Sequence, residues 1–213
     1  MFTPLHFEES RIEVLHDLMR HHPLATIVTL SQAGQIDANH IPLLVCENIG
    51  PFGTLQGHVA RANSLWSDAR QDIESLAIFQ GPEAYVSPSW YATKQETGRV
   101  VPTWNYAVVH AYGHLRVIDN TVWLKSLVER LTAEHESSHP QPWRVSDAPA
   151  DYIQSRLGAI VGIEMTITRL QGKWKMSQNQ PEANRAGVID GLRSLRTPEA
   201  SAVADLIRPK QPS

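Results

Sequence analysis

The order of short apolar runs constrains this chain more than any other feature. Residues 24–30 (Leu-Ala-Thr-Ile-Val-Thr-Leu) are rich in β-branched side chains, 32–35 contain a turn glycine, and 36–45 return as the second arm of a hairpin. Pro42 has no N–H to give a ladder, so it belongs at an edge, a bulge or a strand end. Residues 53–59 and 76–79 and the short piece 85–88 read as further strands. A short helix is expected across 63–70. Residues 106–118 form a long strand or a hairpin bent at Gly113. Residues 161–170 and 173–177 read as a second hairpin turning at Gln171 and Gly172.

Helices punctuate this pattern without alternating with it. Ser10 can cap a helix with Ile12, Leu15, Leu18 and Met19 on one face, stopping before Pro23. Asn120 caps a second, with Trp123, Leu127 and Leu131 as its stripe. Residues 151–160 suit a third, with Ile153, Leu157 and Ile160 inward, and Val188, Leu192 and Leu195 mark a C-terminal one. The stretches 87–103 and 135–149 lack periodicity and read as excursions. No βαβαβ order is present, so an antiparallel barrel fits better than a doubly wound sheet. The expected fold class is α+β, mainly antiparallel β, a barrel with peripheral helices. Residues 1–180 would form that domain, and 181–213 a helical extension ending in a frayed tail.

Composition narrows the partners. Hydrophobic residues make up 42% and charged residues 19%, enough apolar material for a core. With 22 acidic against 19 basic side chains the net charge is −3, and a pervasive basic footprint for nucleic acid is absent. No run approaches the ~18 apolar residues of a membrane span, and no secretory signal is evident, so a cytoplasmic protein is the expectation. The single cysteine, Cys46, lies in an apolar strand and reads as a small buried hydrophobe. Ten histidines include no spacing that chelates, so no metal is expected. Walker, GxGxxG and GxSxG motifs are missing.

The odd number is tryptophan: six, against five Tyr and four Phe. Four of the six fall in or beside stretches rich in convergent polar groups. One is Asn39-His-Ile-Pro-Leu43. Another is His58-Val-Ala-Arg-Ala-Asn63, followed by Trp66, where Arg61 and a helix start could cradle an anion. A third joins Ser87-Pro-Ser-Trp-Tyr91 and Lys94 to Val101-Pro-Thr-Trp-Asn-Tyr106. The last is Gly172-Lys-Trp-Lys-Met-Ser-Gln-Asn179. Phosphate donors beside planar platforms describe a nucleotide-like cofactor.

At these residues the chain resembles the PaiB family of FMN-binding negative transcriptional regulators. The strings that carry the resemblance are Phe2-Thr-Pro-Leu-His-Phe7, Asn39-His-Ile-Pro-Leu-Leu44, Gly57-His-Val-Ala-Arg-Ala-Asn63, Gln80 through Tyr91, Val101 through His110 and Gly172 through Asn179. The resemblance implies an FMN-binding split β-barrel, usually a homodimer with FMN in the interface cleft. It places the flavin ring along Asn39, His40, Ile41, Pro42 and Leu43, and the phosphate near His58, Arg61 and Asn63. Ser87, Ser89, Trp90, Tyr91, Thr103, Trp104 and Asn105 would wall the cleft, some of them from the second copy. Lys175, Gln178 and Asn179 would close it. The implied function is redox chemistry or sensing on a small molecule, with direct DNA contact disfavoured by the charge. A DNA-contacting repressor and a cofactor-free assembly module stand as the competing readings.

Overall fold

The computed structural model describes residues 1–207; the tail expected to fray, 208–213, lies outside the described residues. In chain order the elements are β1 (Glu8–Glu9), α1 (Ile12–His21), β2 (Leu24–Leu30), β3 (Ile36–Pro42), β4 (Leu44–Cys46), β5 (Thr54–Ala60), α2 (Leu65–Asp68), β6 (Ser75–Val86), α3 (Thr93–Thr97), β7 (Thr103–Ile118), α4 (Thr121–Glu136), α5 (Ala150–Gly158), β8 (Ile160–Lys175), α6 (Glu182–Ser194) and α7 (Pro198–Leu206). The hydrogen-bonded path runs β3-β2-β6-β7-β8-β5-β4, with β1 added on β8. The fold class is α+β built on an antiparallel sheet, the split-barrel architecture.

The chain divides into two compact units. The barrel unit holds residues 22–79 and 111–170. Its first hairpin pairs Leu24 with Pro42 and Leu30 with Ile36, and Gly34 at φ 78° makes the turn that the sequence predicts. Pro42 ends β3, the edge strand of the path, where its missing donor costs nothing. β5 pairs with β8 from Thr54↔Thr166 to Ala60↔Ile160. Gly57 lets the β3–β4 corner lie against β5, because a Cβ there would sit 2.7 Å from Leu43 Cδ2 and 3.1 Å from the Pro42 carbonyl. That approach closes the barrel where no ladder does. Inside, Ile27, Leu43, Leu55, Leu115, Ile163 and Met165 converge on one point. The Asn120 side chain accepts from Trp123 N–H at 2.9 Å and caps α4 as expected. The buried stripe of α4 is Leu124, Leu127 and Leu131, with Trp123 half-covered at its flank.

The terminal unit holds residues 1–21, 80–110 and 171 onward. α1 buries Leu15, Leu18 and Met19. Two short helices interrupt the stretch 87–103 that the sequence leaves without structure: a 3-10 turn at Pro88–Trp90 and α3. The helical C-terminus is two helices, α6 and α7, the second capped by the Thr197 hydroxyl accepting from Ala200 N–H.

Two readings of the strands are corrected. Residues 76–79 and 85–86 belong to one continuous strand, β6. Gln171 and Gly172 do not turn a hairpin either: β8 runs unbroken for 16 residues. Gly172 pairs with Glu9, and a Cβ there would meet Leu15 Cδ2 at 2.3 Å and the Glu9 carbonyl at 2.6 Å. It marks a close backbone approach, which a single sequence cannot tell from a turn.

Candidate functional site

In the barrel unit, the predicted residues on β3 and the exit of β5 come together. Asn39 Oδ1 accepts from Asn63 Nδ2 at 2.8 Å, and Asn63 Oδ1 accepts from Leu65 N–H at 2.8 Å to start α2. Asn39 Nδ2 donates to Asp37 at 2.9 Å, and His40 Nδ1 lies 3.0 Å from the Thr26 hydroxyl on the exposed face. Strand alternation turns Ile41 and Leu43 into the core, so only their backbone can meet a ligand, while His40 and Pro42 face outward. His58 is half-buried, its Nδ1 is shielded from solvent, and that nitrogen has no hydrogen-bond partner among the described residues. Burial pushes its pKa below the ordinary histidine value.

Arg61 has other work. Its fork holds Asp119 at 2.9 and 2.6 Å, Nε donates to the Gly158 carbonyl at 2.9 Å, and Nη2 reaches the Ile160 carbonyl at 3.2 Å. The hydrogen bond to Asp119 raises the guanidinium pKa further and lowers that of the carboxyl. The anion fork read from the sequence is thus taken up inside the chain, by a carboxylate 58 residues away in sequence. Trp66 donates Nε1–H to the Arg61 carbonyl at 2.9 Å and fixes the same corner.

In the terminal unit, a cavity of about 210 Å³ gathers Tyr91, Thr103, Asn105, Lys175 and Asn179 from the predicted set. It also takes Phe7, Val101, Pro102, Ser177 and Gln180, which the sequence does not single out, although all but Gln180 stand within the strings that carry the family resemblance. Lys175 Nζ donates to the Thr103 hydroxyl and to the Trp104 carbonyl at 2.6 Å. Burial, then the neighbouring Lys173, pushes its pKa down. Asn105, fully buried, donates Nδ2–H to Ser177 Oγ at 3.0 Å, and the hydroxyl donates back to Asn105 Oδ1 at 3.2 Å. This reciprocal pair holds Ser177 at φ 60°, a left-handed conformation that costs a non-glycine residue about 1–2 kcal/mol.

The remaining predicted residues serve elsewhere in that unit. Ser87 Oγ accepts from Ser89 N–H and caps the 3-10 turn, and the Ser89 hydroxyl receives Lys94 Nζ at 3.4 Å. Trp90 seats on α6, filling the space left by Gly187 and Gly191. Gln178 turns back on its own backbone, accepting from Met176 N–H at 2.7 Å. Trp104 is 52% exposed and meets Tyr85, 47% exposed, edge to face with ring centres 6.0 Å apart.

Comparison with known proteins decides the family. A model described as "Putative FMN-binding domain" matches residues 1–169. The protease synthase and sporulation protein PAI 2 of Bacillus subtilis is 30% identical over 99% of this chain and 98% of its own. The chain belongs to the PaiB family of FMN-binding-domain proteins. An uncharacterised protein of Emericella nidulans is 35% identical, covering 94% of this chain and 93% of its own. Among solved structures, the FAD- and heme-binding protein of Mycobacterium smegmatis superposes with a TM-score of 0.57 at 17% identity, over 79% of this chain and 73% of that one, a likeness of fold. The family model ends before Lys175, Gln178 and Asn179, whereas the PAI 2 match spans them. Among the described residues no helix is long and apolar enough to cross a membrane, and no cluster of His, Cys, Asp and Glu is arranged to hold a metal.

Proposed function

We propose that this chain binds FMN against β3 and the exit of β5 and acts in redox chemistry or sensing of a small molecule. The observation that carries the reading is the shielded Nδ1 of His58, without a hydrogen-bond partner among the described residues, on the strand β5 whose exit residue Asn63 is tied to Asn39 of β3. An unpaired buried polar atom costs about 1–3 kcal/mol, which a ligand atom at that position would offset. Asn39, His40 and Asn63 supply amide and imidazole groups for the same ligand. Arg61, held by Asp119, positions the β5 exit rather than gripping phosphate. When bound, FMN supplies the electron and hydride chemistry, so the chain needs no acid or base of its own.

The proposal includes a homodimer. Trp104 and Tyr85 present an exposed aromatic pair, the side-chain type enriched at interface centres, and Val101 is exposed beside them in sequence. A second copy covering that face would bring its own exposed Tyr85 and Trp104 pair to the cleft. Regulation then passes through the bound small molecule, since a chain of charge −3 has little to offer the DNA backbone. The test is direct: protein incubated with FMN and desalted retains flavin absorbance in the protein fraction. Flavin lost completely to the small-molecule fraction refutes the proposal.

A further inference from the structure

We propose that the cavity of the terminal unit is a separate ligand site for a small organic anion, a carboxylate on an apolar body. At about 210 Å³ it falls short of the ~300–1,000 Å³ of pockets that enclose cofactor-sized molecules. Its lining contains a lysine and no aspartate or glutamate. Two of the three Lys175 donors are fixed by Thr103 and the Trp104 carbonyl, which aims the ammonium and leaves one N–H for a ligand. Asn179 and Tyr91 line the same cavity, and among the described residues neither side chain is engaged in a hydrogen bond. Phe7, Val101 and Pro102 supply the apolar wall.

Two further features fit a ligand better than a surface dimple. Ser177 is held in a left-handed conformation by the buried Asn105, a strain that concentrates at binding sites. Lys173 lies behind Lys175 on the same strand face, its ammonium on the Phe2 carbonyl and 5.1 Å from the Tyr106 ring centre. Burial and this second cation both disfavour the charged form of Lys175, and the opposite charge of a bound anion offsets them.

Titration calorimetry of the full chain with benzoate, its neutral isostere benzamide, and inorganic phosphate tests the site. Benzoate should bind, and benzamide should bind at least about tenfold more weakly. Lys175→Met should lose benzoate to a similar extent, whereas Lys94→Met should leave it unchanged. Phosphate should bind more weakly than benzoate, because the apolar wall has nothing to hold. Benzoate binding should persist in protein saturated with FMN, and it should also persist if the chain proves to bind no flavin. No heat from benzoate, equal binding of benzamide, or strict competition between benzoate and FMN overturns the proposal; the last would make the cavity part of the flavin site.

Discussion

Gly187→Ala isolates the seat of Trp90. α6 carries Gly187 and Gly191 one turn apart, on the same face, and the segment Pro88–Trp90 lies on that face. A Cβ at 187 would come within 2.0 Å of the Trp90 carbonyl oxygen, and one at 191 within 2.2 Å of the Trp90 ring. Helix propensity alone favours alanine by about 1 kcal/mol inside a helix. Overpacking costs ~1–3 kcal/mol, and the upper end applies where the obstacle is backbone rather than a side-chain tip. The net expectation is a loss of about 2 kcal/mol, a fall in Tm of roughly 4–8 °C for a chain of this size. Thermal unfolding by circular dichroism, without added flavin, measures it. Gly158→Ala at the end of α5 is the control: nothing lies within 4 Å of its Cβ, so it should be neutral or slightly stabilising. A Gly187→Ala protein as stable as the parent would show that propensity decides and that Trp90 is not seated there.

Further outcomes follow from the same geometry. Asn105→Ala leaves the buried Ser177 hydroxyl unpaired and Ser177 strained, so stability should fall by about 1–3 kcal/mol in denaturant titration. A Ser177→Gly variant, relieved of the left-handed penalty, should recover part of that loss in the Asn105→Ala background. Burial lowers the folded-state pKa of His58, so the unfolded chain binds the proton more readily. That contribution is neutral above the unfolded value, and stability falls as pH drops from there through the folded one. His58→Gln should therefore lessen the loss of stability on acidification below neutrality, and an unchanged pH profile would remove the assignment. Arg61→Ala should weaken FMN and riboflavin alike, because the fork serves Asp119; a loss confined to FMN would return Arg61 to the phosphate.

Much of the fold was legible because its signals are local. The β2–β3 hairpin, its glycine turn, the proline that ends β3, and the Asn120 cap each rest on a few neighbouring residues. What the sequence hid is long-range. Gly172 reads as a turn, but its lack of a side chain answers Leu15 and Glu9, more than 150 residues away. The site shows the same division. The polar and aromatic strings are visible as strings, yet the engagement of Arg61 by Asp119 and the seating of Trp90 on α6 depend on partners that no spacing reveals. The tryptophan surplus resolves likewise: Trp104 stays exposed, whereas Trp66 and Trp90 brace the corners beside the candidate sites.

Flavin binding by this chain is reached most directly by a fluorescence titration. Adding the protein to a fixed amount of FMN should quench or shift flavin emission to a sharp end point at one flavin per chain. His58→Ala should weaken that binding by about tenfold or more. Emission unchanged up to a large excess of protein would contradict the account at its centre.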